Sequence, residues 1–306
     1  AAAPAPTASS PTTPSAQRSG CEISADTDMS ETGAPDRYAV IGHPISHSWS
    51  PFIHGMFAKQ TNQNITYGRI DATPDAFERE VAAFFQTGGK GLNVTVPHKQ
   101  VAAFVARYRT PRAEIAGAVN TLMLRDDGIY GDNTDGAGLV TDLTRNLGMS
   151  LKDIRILIVG AGGAARGVLG PLLAEGPEYL EIANRNEQRA LDLAREFSLL
   201  GNVRGCGFDG ISEDHTFELV LNATSASLQD TVPPIPRSVI GPATLCYDMA
   251  YGKGDTSFTR WAKSVGAGRA ECGWGMLVEQ AAESFYLWRG VKPDTKPVLE
   301  AVKSQK

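Results

Sequence analysis

The apolar strand Arg155-Ile-Leu-Ile-Val159 runs straight into Gly160-Ala-Gly-Gly-Ala-Ala-Arg166, and a helical pattern follows. A strand, a glycine turn and a helix in immediate succession commit the chain to strand–helix alternation and a mostly parallel sheet. Each small residue has a physical use. Gly160 permits the tight turn, Gly162 lets the backbone approach a pyrophosphate, and Ala165 allows close helix–strand packing. The helix start offers free N–H groups and partial positive charge to phosphates. The expected cofactor contacts are therefore Gly160, Ala161, Gly162, Gly163 and Ala164. The turn alone is also compatible with a glycine turn that binds nothing.

The next strand, Tyr179 to Ala183, ends at Asn184-Arg185-Asn186, with Arg189 one turn on. NAD binders place a carboxylate at this point for the ribose hydroxyls, whereas a guanidinium pairs with a 2′-phosphate. Asn184, Arg185 and Arg189 thus favour NADP. The competing reading is a solvated helix start, with Glu187 pairing some of the charge.

The same alternation appears earlier in the chain. Strands are expected at Tyr38 to Ile41, Ile65 to Ile70 and Leu92 to Val96, with further strands at Thr121 to Leu124 and Ile129-Tyr130. A helix is expected from Pro51 through Phe57, with Ser50 as its N-cap, and a second over Asp75 to Phe85. Downstream, a helix is expected over Glu187 to Phe197, and strands at Leu219 to Asn222 and Leu245 to Asp248. Two helices close the chain, from about Met276 to Arg289 and from Pro297 to Val302. Met276, Leu277, Ala281, Phe285 and Trp288 form the core-packing face of the longer one. That helix is expected to return to the first domain, making the second an insertion.

With 306 residues the chain is long enough for two domains. A net charge of −5 with no block of like charge argues against nucleic acid and anionic membrane as partners. No stretch approaches the ~18 apolar residues of a membrane span. Cys21, Cys206, Cys246 and Cys272 are scattered, which suits free thiols in a reducing, cytoplasmic setting. His43, His47, His54 and His98 are separated by turns and prolines, with no carboxylate at ligand spacing, so no metal site is expected. The opening residues, Ala1 to Arg37, are rich in Ala, Pro, Ser and Thr and are expected to be disordered, with Met29 as the native start.

Two polar strings sit where strands run into turns: Asn93-Val-Thr-Val-Pro-His-Lys99 and Gly131-Asp-Asn-Thr-Asp-Gly136. Such residues are costly to bury without partners. A lysine and a carboxylate so placed suit a polyhydroxylated ligand and the movement of a proton. Taken alone, the pair is equally readable as a structural ion pair.

Seven motifs, in order, give the chain a specific likeness: Gly42-His-Pro-Ile-Ser-His-Ser-Trp-Ser-Pro51, Lys90-Gly-Leu-Asn-Val-Thr-Val-Pro-His-Lys99, Gly117-Ala-Val-Asn-Thr121, Gly131-Asp-Asn-Thr-Asp-Gly136, Asn222-Ala-Thr-Ser225, Tyr247-Asp-Met249 and Gly275-Met-Leu-Val-Glu-Gln280. From about Tyr38 to Val302 the chain resembles shikimate dehydrogenase. The resemblance implies an α/β protein with a substrate domain built on a mostly parallel sheet, residues 38–138 plus 276–306. It also implies a Rossmann-like, doubly wound NADP-binding domain, residues 139–275. The implied reaction is the reversible NADPH-dependent reduction of 3-dehydroshikimate to shikimate, in aromatic amino-acid biosynthesis.

Carried over by motif position, Lys99 is the general acid, and the base in reverse, with Asp135 orienting it and setting how readily it releases a proton. Ser48 and Ser50 would donate to the substrate carboxylate, joined by Tyr251. Thr95, Asn120 and Gln280 suit hydroxyls, because each can donate and accept. Thr224, Met249 and Gly273 are expected beside the nicotinamide or substrate. Two positions depart from the family pattern. Trp49 stands where a small or basic residue is expected and reads as an exposed aromatic or a lid. Ala226-Ser227-Leu228 replaces an expected glycine, and a lost positive-φ position there would alter the loop. A homodimer is one candidate assembly, which the sequence does not decide, and the two-domain layout suggests closure around the substrate. The alternatives are a quinate/shikimate dehydrogenase using both NAD and NADP, and a ligand sensor without turnover. The presence of Lys99 and Asp135, and the lack of a recognition helix or basic patch, weigh against the sensor.

Overall fold

The computed structural model describes residue 1, residues 33–252 and residues 254–304. Met29, Cys21 and most of the expected tail lie outside the described residues. Two six-stranded sheets organise the rest.

The first sheet contains β1 (Asp36–Gly42), β2 (Ile65–Asp71), β3 (Gly89–Val94), β4 (Tyr108–Arg109), β5 (Thr121–Arg125) and β6 (Gly128–Asp132), in the order β2-β1-β3-β5-β6-β4. The β1/β2, β1/β3 and β4/β6 pairs are parallel, whereas β5 runs antiparallel to both neighbours. β1 begins at Asp36, inside the segment read as tail. Arg289 Nη1 donates to Asp36 Oδ2, and Arg37 Nη1 donates to Thr87 O at 2.8 Å, which ties both residues down. β3 ends at Val94 rather than Val96. Pro97 has no N–H to give a ladder, and the chain leaves the sheet before it.

Register sets up the first half of the site. Asn93 pairs with Thr121, and Thr121 pairs with Asp132. The segments that adjoin these positions at that edge, after β3 and β6 and before β5, therefore lie side by side and carry Thr95, Asp135 and Asn120.

The second sheet is wholly parallel, in the order β12-β11-β10-β7-β8-β9. Its strands are β7 (Arg155–Val159), β8 (Tyr179–Ala183), β9 (Val203–Cys206), β10 (Leu219–Asn222), β11 (Leu245–Asp248) and β12 (Arg269–Cys272). The strand order reverses between β7 and β10, where a doubly wound sheet opens a crevice at its carboxyl edge. Val159, Asn222 and Asp248 lie level there.

The helices are α1 (Ser50–Gln60), α2 (Phe77–Gln86), α3 (Lys99–Val105), α4 (Pro111–Ala116), α5 (Asp135–Thr141), α6 (Gly163–Ala174), α7 (Glu187–Phe197), α8 (Ser257–Ser264), α9 (Trp274–Arg289) and α10 (Lys296–Ser304). The start of α1 differs from expectation. Trp49 occupies the N-cap, without a capping bond, and Ser50 is the first helical residue. Ser48 Oγ accepts from Ser50 N at 3.3 Å, so the serine two residues earlier satisfies a free helix-start N–H.

Ile53 and Phe57 of α1 are buried against Trp274, Val278, Ala281 and Phe285 of α9, with Val298 and Val302 of α10 completing the cluster. Each such side chain contributes about 1.5–3 kcal/mol through burial. Behind the second sheet, Leu139 and Leu143 pack with Ile156, Ile158, Val168 and Leu172. α5 and α9 cross closely at Gly138, where an added Cβ would stand 2.6 Å from the backbone nitrogen of Gln280. That crossing delivers Asp135 and Gln280 to one place.

Candidate active site

Lys99 opens α3 and Asp135 opens α5, each just beyond a strand of the first sheet. Lys99 Nζ donates to Asp135 Oδ2 at 2.6 Å, with side chains 22% and 7% exposed. Asn120 Nδ2 donates to the other oxygen, Asp135 Oδ1, at 2.9 Å, and Asp135 N donates to Asn133 Oδ1 at 3.1 Å. Removing one partner of so buried a pair costs about 3–5 kcal/mol, since the other charge is left uncompensated. The lysine keeps one open side, toward the cleft, and the carboxylate does not.

Asn120 is the hub. Its Nδ2 also lies 3.3 Å from Gln280 Oε1, and its Oδ1 accepts from Thr134 N at 2.8 Å. Gln280 Nε2 donates to Leu277 O at 2.8 Å. Lys99, Asp135, Asn120 and Gln280 are thus joined by direct bonds. Thr95 lies at the start of the turn into α3 and accepts on its backbone oxygen from His98 N at 3.0 Å. Its place depends on Gly42, whose hypothetical Cβ would lie 2.4 Å from Thr95 Cγ2.

Ser48 and Ser50 form a separate pair, with Oγ atoms 3.2 Å apart. Arg69 Nη2 holds their loop by donating to Ser48 O at 2.6 Å. Tyr251 is half-buried, its hydroxyl pKa pushed up by burial, with its ring 4.8 Å from that of Trp274. Trp274 in turn meets Trp49 edge-on at 5.5 Å. Trp49 is therefore neither a free surface aromatic nor a detached lid. It is half-buried and links the serine loop to Tyr251 through Trp274.

The second half of the site is built from backbone. A cleft of about 580 Å3 is lined by Lys99 and Gln100 on one side and by Ala161, Gly162, Gly163, Ala164, Arg166 and Arg189 on the other. Gly160 has φ of +110°, and its missing Cβ would press on Thr224 Cγ2 at 3.0 Å, so glycine brings this turn against the turn after β10. Nothing lies within 4 Å of an added Cβ at Gly162 or Gly163, whose bare backbone faces open space. Thr224 is fixed by Oγ1 donating to Asn222 Oδ1 at 2.7 Å. Gly273 is equally constrained: its Cβ would stand 2.5 Å from Met249 O, so these two residues touch.

Asn184 Nδ2 donates to Asn186 O at 2.8 Å, shaping the turn that leads to α7. Arg185 is exposed and is not among the cleft-lining residues, whereas Arg189 is.

Residues Ala226–Gln229 wind into a 3-10 turn, and the left-handed position falls on Asp230, with φ of +51°. Ser227 Oγ donates to Asp248 Oδ2, and Thr256 Oγ1 donates to the same oxygen at 2.6 Å. Burial raises the pKa of Asp248, against the pull of these hydrogen bonds.

Among the described residues no group of three or more His, Cys, Asp or Glu side chains is placed to hold a metal ion. His43 pairs with Asp71 at 2.7 Å, and His98 Nε2 lies 2.7 Å from Ala72 O. No helix among the described residues is long and apolar enough to cross a membrane. The sequence reading passed over Thr134, Ser284 and Tyr67. Ser284 sits one turn after Gln280 and bonds to Asn93 Nδ2 at 2.9 Å, a placement that the i, i+4 spacing carries. Tyr67, whose hydroxyl donates to Asn93 Oδ1 at 2.7 Å, is brought in only by strand order.

The family models described as the shikimate dehydrogenase substrate binding domain, shikimate / quinate 5-dehydrogenase and the shikimate 5′-dehydrogenase C-terminal domain match residues 40–122, 142–229 and 273–303. The shikimate dehydrogenase (NADP(+)) of Methylococcus capsulatus is 53% identical over 273 residues, covering 89% of this chain and 98% of the relative. That of Nitrosospira multiformis is 54% identical over 269 residues, covering 88% and 98%. The structure of an Ael1 enzyme from Pseudomonas putida superposes with a TM-score of 0.83 at 48% identity, covering 87% of this chain and 97% of that one. The shikimate 5-dehydrogenase of Thermus thermophilus, solved in complex with NADP(H) and shikimate, superposes with a TM-score of 0.78 at 31% identity, covering 88% and 99%. With more than half of the aligned residues identical along nearly the full length of such relatives, this chain belongs to the shikimate dehydrogenase family.

Proposed function

We propose that Lys99 and Asp135 carry out the proton transfer in a reversible, NADPH-dependent reduction of 3-dehydroshikimate to shikimate. The observation that carries this reading is the 2.6 Å Lys99–Asp135 ion pair, bonded to Asn120 and open on its lysine side to the cleft. The cofactor fits the residues present. Bare backbone at Gly162 and Gly163 leaves room for a pyrophosphate at the start of α6, and Arg189 supplies positive charge on the same cleft. When bound, NADPH supplies the hydride.

As negative charge develops on the ketone oxygen, the Lys99 ammonium stabilises it and gives it a proton from Nζ. The neutral amine then recovers a proton from solvent. In the reverse direction neutral Lys99 takes the proton of the substrate hydroxyl. Asp135 holds Nζ in place in both states and offsets its charge in the ammonium form. Ser48, Ser50 and Tyr251 donate hydroxyls to the substrate carboxylate, and Thr95, Asn120 and Gln280 bond the ring hydroxyls. Such a set leaves polar groups unpaired when an analogue lacks a hydroxyl, which is the basis of selectivity.

Gly160, Ala161, Gly162, Gly163 and Ala164 cradle the phosphates in this reading. Asn184, Arg185 and Arg189 meet the 2′-phosphate, and Thr224, Met249 and Gly273 flank the nicotinamide. The division into residues 38–138 plus 276–306 and residues 139–275 belongs to the same proposal. It is supported by the two sheets and by the packing of α9 on α1. So do a cytoplasmic setting and a homodimer, the latter checked by light scattering for twice 32.6 kDa.

The test is initial rates with shikimate and quinate, each against NADP and NAD. High rates confined to shikimate with NADP support the reading. Comparable rates with quinate or NAD move the chain to the broader-specificity branch. Absence of turnover with retained binding defeats the catalytic reading in favour of a sensor.

A further inference from the structure

Three residues before Asp135, the Asp132 side chain is only 2% exposed and stands outside the proposed substrate contacts. Arg112 of α4 grips it with two arms: Nε donates to Oδ1 at 2.6 Å and Nη2 to Oδ2 at 2.8 Å. Thr110 Oγ1 and the backbone N–H of Asn133 also donate to Oδ1, each at 2.6 Å. The remaining arm, Arg112 Nη1, reaches Glu283 Oε1 on α9 at 3.1 Å. Burial works against the guanidinium's charge, but Asp132 and Glu283 outweigh it and hold Arg112 above its ordinary range.

This clamp stands directly behind the ion pair. Asn120 N donates to Asp132 O at 3.0 Å, which sets the height of the Asn120 turn against the Asp132 turn. Asn133 Oδ1 accepts from Asp135 N at 3.1 Å, while Asn133 Nδ2 donates to Ala118 O at 3.0 Å. The Asp132 turn therefore transmits its position to Asp135 through a single residue. Asp132 also carries the same charge as Asp135. A planar fork of donors fixes both oxygens of a carboxylate, which a lysine ammonium does not.

We propose that Arg112 is a positioning residue for the Lys99–Asp135 pair, fixing the turn that aims Asp135 and tying it to the helix that carries Gln280. The proposal rests on the reading of Lys99 and Asp135 as the proton-transfer pair. Arg112 touches neither substrate nor cofactor in it.

The test compares Arg112→Met, Arg112→Lys and Glu283→Ala with the unaltered protein by two readouts. The first is kcat per folded molecule for 3-dehydroshikimate with NADPH, alongside NADPH affinity by fluorescence titration. The second is the rate of Lys99 acetylation by acetic anhydride, read by peptide mass against exposed Lys90 as internal reference. We expect Arg112→Met to lower kcat about 10- to 100-fold with NADPH affinity within twofold, and to label Lys99 severalfold faster. Arg112→Lys recovers part of both. Glu283→Ala raises the substrate KM about threefold with kcat within twofold. A kcat loss that only follows the folded fraction, with Lys99 labelling unchanged, overturns the proposal. Should Arg112→Met fail to fold, Arg112→Lys matching the unaltered protein in kcat and labelling overturns it equally. A Glu283→Ala variant with unchanged KM overturns the tie to α9. If the unaltered protein turns over no substrate, the catalytic reading fails by itself, and the labelling comparison still decides whether Arg112 positions Lys99.

Discussion

The two halves of the cleft are made by opposite means. On the first sheet's edge, Lys99, Asp135, Asn120 and Gln280 hold one another through side-chain bonds of 2.6–3.3 Å. On the second sheet's edge the shape comes from what is missing, with side-chain-free positions at Gly160, Gly162 and Gly163. A network of side chains fixes protons and hydroxyls, whereas a bare backbone accommodates a phosphate that every member of a dinucleotide class shares. In the proposed reading, proton chemistry and substrate selectivity sit on the first side, and cofactor recognition on the second.

That division is open to attack in order of effect. Lys99→Ala should lower kcat by about 10²- to 10⁴-fold and change shikimate KM much less, because its contribution grows in the transition state. Steady-state kinetics reads this directly, and near-native kcat breaks the assignment. Gly162→Val, which puts a branched side chain where the backbone is open, should weaken NADP binding by about tenfold or more. Its Lys99 chemistry should persist at saturating cofactor. A matching fall in kcat would show that the halves are not separable.

The substrate half should also be the acid-sensitive one. His54 is fully buried, stacked on Tyr67 at 4.2 Å, and burial lowers its pKa to about 3, partly offset by Asn93. The unfolded chain binds that proton near 6.5, so stability is lost as pH falls from 6.5 toward 3, at about 1.4 kcal/mol per unit. Between pH 7 and 5 this amounts to about 2 kcal/mol in denaturant unfolding, and His54→Phe should flatten that part of the slope. The smallest effect concerns the arginines. Arg189→Ala should weaken NADP about tenfold and NAD less than twofold, with Arg185→Ala having a lesser effect, since Arg189 lines the cleft and Arg185 does not. Equal losses for both cofactors would mean that neither arginine reads the 2′-phosphate.

Much of this was legible in the residues before any coordinates. The glycine turn announced itself because its function is local, a strand, a turn and a helix within a dozen positions. Lys99 and Asp135 stood out as charges at strand ends. Illegible parts depend on register. Nothing in the sequence near Tyr67 brings it to Asn93, which meets it only because β1 lies between β2 and β3. Arg112 sits in a helix of six residues, too short for periodicity to mark it. β12 is an edge strand of four residues, Arg-Ala-Glu-Cys, whose alternation is too short and too weakly apolar to mark it. The misassigned cap at Ser50 came from ranking residue types one position at a time, whereas Ser48 does the capping from further back. Near Ala226, where a glycine is expected, the left-handed conformation falls on Asp230.

The close crossing at Gly138 has a mechanical consequence. The chain passes from the first sheet to the second along α5 and comes back along α9, and at Gly138 these two passages lie almost backbone to backbone. If the two sheets rotate against one another, this crossing is the natural axle. Asp135 and Gln280 lie on it and would be displaced least. Arg189 and the Gly162 turn belong to the second sheet's side, where a few degrees would become ångströms. In the proposed reading, the proton-transfer geometry would then be insulated from a movement that admits cofactor.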